Sequence, residues 1–192
     1  MMRFVLAAGL AVILAACGEK PATDGAATDA TAGTTETAAA PPPVPAAGPC
    51  VASGPLTPGV SDKAAWDKCV PWNTNGPGVM KTASGLEYVV LGSGPAGGTS
   101  PAASDEAEVF YEGRFNAGGP AFDSAFERGE SATFGVGRVV PGFSEALQLM
   151  KPGDHWIAYL PSRLGYGPEG KGDRIPPNAD LVFEIELVKV VH

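Results

Sequence analysis

The chain has 192 residues, 44% of them hydrophobic, and a formal net charge of −8 at pH 7. That is enough apolar material for one packed domain, and its uneven distribution leaves the N-terminal quarter with little of it. The acidic balance offers no basic groove and disfavours a polyanionic partner, so no nucleic-acid partner is expected.

Arg3 is followed by an apolar run from Phe4 to Ala16. The run is too short to span a bilayer and fits the central region of an export signal, residues 1–16. It ends in Leu14-Ala15-Ala16-Cys17-Gly18, which resembles a bacterial lipobox. In that motif the cysteine becomes the first mature residue and carries a lipid on its sulfur. Cys17 is therefore the expected lipidation site, and a lipid anchor the expected contact with the membrane. The rival is an ordinary signal peptide with an incidental cysteine. Gly18 in place of Asp resembles the default outer-membrane destination, facing the periplasm. Residues 17–49 are almost wholly Ala, Thr, Pro and Gly. They bury too little to offset their conformational entropy, which predicts a disordered tether.

Cys50 and Cys69 are the remaining cysteines. In an exported chain they are expected to pair, closing a loop worth about 3 kcal/mol in the chain-entropy model. A redox-active pair is disfavoured because there is no C-x-x-C spacing. Within the loop, Ala64 to Lys68 predicts a short helical turn capped by Ser61 or Asp62. Residues 50–80 read as an N-terminal extension, with the main domain over 81–192.

Leu86, Tyr88 and Val90 open a period-two pattern. It returns in Ala107, Val109, Tyr111, Gly113 and Phe115, opposed by Glu108, Glu112 and Arg114. Ala132, Phe134 and Val136 predict a third strand, His155 to Leu160 a fourth, and Leu181, Phe183, Ile185 and Leu187 a fifth, opposed by Glu184 and Glu186. This pattern predicts an antiparallel sheet with one wet face, on which the glutamates lie. One helix is expected from Pro141 or Gly142: Phe143, Ala146, Leu147 and Met150 make a single apolar stripe, and Pro152-Gly153 ends it. The fold class is α+β, a curved antiparallel sheet of about five strands wrapped around one short helix.

Val109-Phe110-Tyr111-Glu112-Gly113, Phe122-Asp123-Ser124, Val139-Val140-Pro141-Gly142-Phe143, Gly165-Tyr166-Gly167 and Ile175 to Glu184 occur in collinear order. Together they resemble the FKBP-type peptidyl-prolyl cis-trans isomerases over about Lys81 to Val190. The resemblance implies rotation of X-Pro bonds in a non-covalent apolar pocket, with no cofactor and no metal. It places Tyr166 and Asp123 as catalytic residues and Tyr111, Phe122, Arg128, Phe134, Val139, Val140, Phe143, Ile175 and Phe183 as substrate-binding residues. Phe143 stands where the family usually has a tryptophan floor, Ala132 where a larger aromatic is common, and Lys171 to Arg174 where the loop is usually more apolar. The implied partners are proline-containing unfolded or exported polypeptides, with macrolides as inhibitors and the chain as a monomer. The alternative is a non-catalytic module or holdase that grips proline segments in the same fold.

Gly165-Tyr166-Gly167-Pro168-Glu169-Gly170 also satisfies G-x-G-x-x-G. Its context rejects a nucleotide loop, because no helix can start at Gly170-Lys171-Gly172-Asp173 and no parallel crossover surrounds it.

Overall fold

A computed structural model describes residues 50–192; the expected signal, Cys17 and tether lie outside the described residues. Seven antiparallel strands form one sheet: β1 (Met80–Lys81), β2 (Glu87–Gly92), β3 (Glu106–Phe115), β4 (Asp123–Ser124), β5 (Ala132–Gly135), β6 (His155–Leu160) and β7 (Leu181–Val191). Their order is β1-β2-β6-β7-β3-β4, with β5 also on β3. The two strands beyond the expected five, β1 and β4, are two residues long and too short to show periodicity. Val136 leaves the third strand at once for a 3-10 turn, Val136–Arg138.

Helix α1 spans Lys63–Cys69, α2 Ala125–Arg128 and α3 Pro141–Leu149. The α1 cap is Asp62, whose carboxylate accepts from the Ala65 N–H at 3.0 Å. Helix α3 lies against the front face, where Phe143, Ala146, Leu147 and Met150 join Val109, Leu160, Leu181, Phe183, Ile185 and Leu187 in the main core.

The back face is not wet as the alternation suggested. Residues 50–79 cover it, and Trp66, Cys50 and Cys69 pack with Val89, Ile157 and Val182 in a second apolar cluster. Glu112 and Glu184 are fully buried and Glu186 is 6% exposed. Their carboxylates are satisfied by hydrogen bonds from the covering segment, which a buried charge requires. Trp66 Nε1 donates to Glu112 at 2.8 Å, the Asp62 N–H to Glu184 at 2.8 Å, and the Gly59 N–H to Glu186 at 2.7 Å. His155 Nε2 lies 2.7 Å from Glu184. Ser124 Oγ and Arg114 complete the Glu112 shell. A disulfide joins Cys50 and Cys69 with their Cα atoms 4.9 Å apart, tying the start of this cover to the last residue of α1.

Two carboxylates brace the cover through hydrogen bonds, Asp62 within it and Glu87 between it and β2. Burial pushes Asp62 and Glu87 up, but hydrogen bonds from Ser53 and Ala65 to the first, and from Thr74, Trp72 and Lys81 to the second, outweigh it and hold both below their ordinary values. Because the folded values are depressed, the stability they contribute is present above the ordinary carboxylate range and lost as pH falls through the folded values. Urea midpoints are therefore expected to be insensitive to these groups between about pH 5 and 7 and to drop below about pH 4. Glu87→Gln should flatten that drop; an unchanged acid limb would contradict the assignment.

Candidate functional site

The front of the sheet and the start of α3 enclose a cavity of about 300 Å3, lined by Tyr111, Phe122, Asp123, Phe134, Arg138, Val139, Val140, Phe143, Tyr166, Lys171 and Phe183. Strand alternation brings Tyr111 on β3 and Phe183 on β7 to the same face. The Phe122 N–H donates to the Gly113 carbonyl at 2.9 Å, which sets the ring beside β4. Val140 is extended and caps α3, and Pro141 takes the first helical position, where a missing N–H costs nothing. Gly142 lets this helix start close to β6: a Cβ there would lie 2.6 Å from Leu160 Cγ. Phe143 follows as the floor.

The rings meet edge to face, the favourable arrangement for aromatic quadrupoles. Phe143 and Phe183 have centroids 5.2 Å apart at 80°, and Phe122 and Phe183 5.7 Å apart at 86°. Tyr111 meets Phe134 at 5.5 Å and Phe143 at 6.1 Å. Ala132 lies on β5, is half-buried and does not line the cavity.

One charged arrangement borders this apolar box. The Tyr111 hydroxyl donates to Asp123 Oδ2 at 2.6 Å, and Arg128 Nη1 donates to Oδ1 at 2.6 Å. Partial burial pushes the Asp123 carboxyl up, yet these two hydrogen bonds outweigh it and hold the group below the usual carboxylate range. Burial, with the bond to Asp123, pushes the Tyr111 hydroxyl above its ordinary value. Asp123 is thus an ionised, oriented carboxylate at neutral pH, and its proton affinity is too low for a general base working there.

Of the residues read from sequence, Arg128 and Ile175 do not line the cavity. Arg128 is bonded to Asp123 from outside the cavity, and Ile175 is 2% exposed in the core. Two lining residues were missed, Arg138 and Lys171. Lys171 Nζ sits 5.2 Å from the Tyr166 ring centroid. The signal for Lys171 was its place in the charged loop before Ile175; Arg138 had only its position directly before Val139-Val140.

The family description "FKBP-type peptidyl-prolyl cis-trans isomerase" matches residues 97–188. The crystal structure of a peptidyl-prolyl cis-trans isomerase from Pseudomonas syringae pv. tomato is similar at 38% identity and a TM-score of 0.57, covering 62% of this chain and 85% of that one. The chain belongs to the FKBP-type peptidyl-prolyl cis-trans isomerase family.

Among curated FKBP-type relatives, peptidyl-prolyl cis-trans isomerase Mip of Coxiella burnetii is 46% identical over 118 residues, 62% of this chain and 50% of the relative. Outer membrane protein MIP of Legionella longbeachae is 40% identical over 129 residues, 67% of this chain and 54% of the relative. The chain thus spans about half the length of these curated relatives.

As an FKBP domain, its pocket depends on one absent side chain. A Cβ on Gly113 would lie 2.5 Å from Phe122 Cζ and 2.6 Å from Phe183 Cε1. Gly113→Ala is expected to push both rings into the cavity and reduce peptide affinity by about tenfold, on the usual cost of overpacking. Titration of a proline peptide checks this, and unchanged affinity would contradict the packing described.

Proposed function

We propose that this chain accelerates cis-trans rotation of X-Pro bonds in exported polypeptides. The observation that carries it is the edge-to-face box of Phe122, Phe143 and Phe183 bordered by the Tyr111–Asp123–Arg128 arrangement. The barrier to rotation is about 18–20 kcal/mol because twisting destroys amide resonance. No nucleophile is needed. The box holds the prolyl ring away from water, where the dipolar planar amide loses more solvation than the twisted state. Tyr166 donates its hydroxyl to the substrate backbone and so selects the bond placed over the box. Asp123 orients Tyr111 and supplies local negative potential; Arg128 positions Asp123; Val139, Val140 and Phe134 shape the walls, with Ile175 packed in the core behind them.

The setting we propose is the cell envelope. Residues 1–16 are a lipoprotein signal, Cys17 carries the lipid, 17–49 are the tether, 50–80 the disulfide-closed extension and 81–192 the isomerase domain. The lipobox-like Leu14 to Gly18 supports the anchor, and one similar protein is named an outer membrane protein. The chain works as a monomer with its pocket facing the periplasm, and macrolides compete with proline segments there. Catalytic amounts of the purified full chain should raise the X-Pro exchange rate of a short peptide. Binding without acceleration would leave a module that holds proline segments. Loss of membrane fractionation in Cys17→Ser tests the anchor, and continued fractionation would contradict it.

A further inference from the structure

Arg128 cancels the Asp123 carboxylate in a salt bridge of 2.6 Å. Two further cations remain at the same cavity, Arg138 and Lys171, and among the described residues neither forms a salt bridge. They come from separate elements. Arg138 ends the 3-10 turn before α3, with its stem packed over Gly135 so closely that a Cβ there would lie 3.1 Å from Arg138 Cδ. Lys171 opens a short bridge with Ile175 and rests over the Tyr166 ring. Both residues are exposed, while the acids near Lys171 in sequence, Glu169 and Asp173, do not line the cavity. This positive mouth belongs to a chain of net charge −8, so it runs against the overall sign.

We propose that Arg138 and Lys171 are specificity-determining residues that make this pocket select prolyl segments carrying an acidic side chain beside the proline. The inference rests on the isomerase reading, since it names the substrate class of that same site. A glutamate or aspartate next to a proline held in this cavity of about 300 Å3 lies inside the Debye length, about 10 Å at 0.1 M salt, of the two cations that line it. A lysine at the same place meets two like charges. The exposed position limits the effect to a modest ratio that salt erodes.

The test is a peptide series with Glu, Gln or Lys immediately before or after one proline, read by NMR exchange and by binding titration with the purified full chain. At low ionic strength kcat/KM for the better Glu peptide should exceed that for its Lys counterpart by about tenfold, shrinking to about twofold in roughly 0.5 M salt. Arg138→Gln with Lys171→Gln should bring the ratio close to one, and the Glu replacements at both positions should invert it. A ratio near one in the unmodified protein, or one that survives both Gln replacements, overturns the proposal while leaving isomerisation of the Gln peptide to support the enzyme reading. If no peptide is accelerated, the isomerase reading fails, and the ratio of binding constants still decides the charge preference by the same criteria.

Discussion

Trp66→Ala is expected to destabilise the protein by about 3–5 kcal/mol in urea unfolding, the cost of deleting a large buried aromatic. Trp66 is fully buried, packs with Val89, Ile157 and Val182, lies 5.0 Å under the Arg114 guanidinium and donates to Glu112. Its loss opens a cavity beneath the cover and removes one bond from a fully buried carboxylate. The pocket is on the opposite face and Trp66 reaches it indirectly, through Glu112 and Ser124, so the folded fraction should keep its X-Pro exchange activity within about twofold. A cost below about 1 kcal/mol would mean that residues 50–79 are a loose attachment and not a second layer of the fold.

Asp123→Ala and Tyr166→Phe are each expected to lower kcat/KM by about tenfold or more with the fold intact, on the scale of one lost charge-assisted or well-placed hydrogen bond. Removing the Asp123 carboxylate frees the Tyr111 hydroxyl and the Arg128 guanidinium, whose hydrogen bonds among the described residues go to its two oxygens and, at 3.4 Å, to each other; Arg128 also lies 5.8 Å over the Tyr111 ring. The rings of the box then lose their polar border. Tyr166→Phe keeps the ring at the mouth and deletes only the donor, so its effect isolates the hydrogen bond to substrate backbone. The pH profile of the unmodified protein should show no Asp123 ionisation between about pH 5 and 8, because the group is held below the usual carboxylate range. Full activity in both variants would contradict the roles given to these residues.

The front face was legible because its periodicities are unambiguous. Phe143, Ala146, Leu147 and Met150 can share a core only on a helix, and alternation puts Tyr111 and Gly113 on one side of β3. The back face was misread for a physical reason. A buried, fully hydrogen-bonded glutamate and a solvated one leave the same mark in a period-two pattern, and Glu112, Glu184 and Glu186 are the former. The partners that bury them lie far away in sequence, in a segment short of aliphatic residues. Trp66 and Trp72 were the available signal: two tryptophans in a polar, disulfide-closed extension need a surface to pack on, and each also needs an acceptor for its indole N–H. Trp66 finds Glu112, and Trp72 finds Glu87 at 2.7 Å. At the far end, where Glu108 pairs with the exposed Lys189 at 2.8 Å, that face meets solvent as expected.

X-Pro exchange in a short peptide, followed by NMR exchange spectroscopy with the unmodified full chain beside Phe143→Trp, tests the isomerase pocket most directly. The geometry predicts clear acceleration by the unmodified protein, because Phe143 already meets Phe183 and Tyr111 edge to face and closes the floor. No acceleration by the unmodified protein, with recovery in the tryptophan variant, would contradict it and leave a pocket that binds proline segments without turning them over.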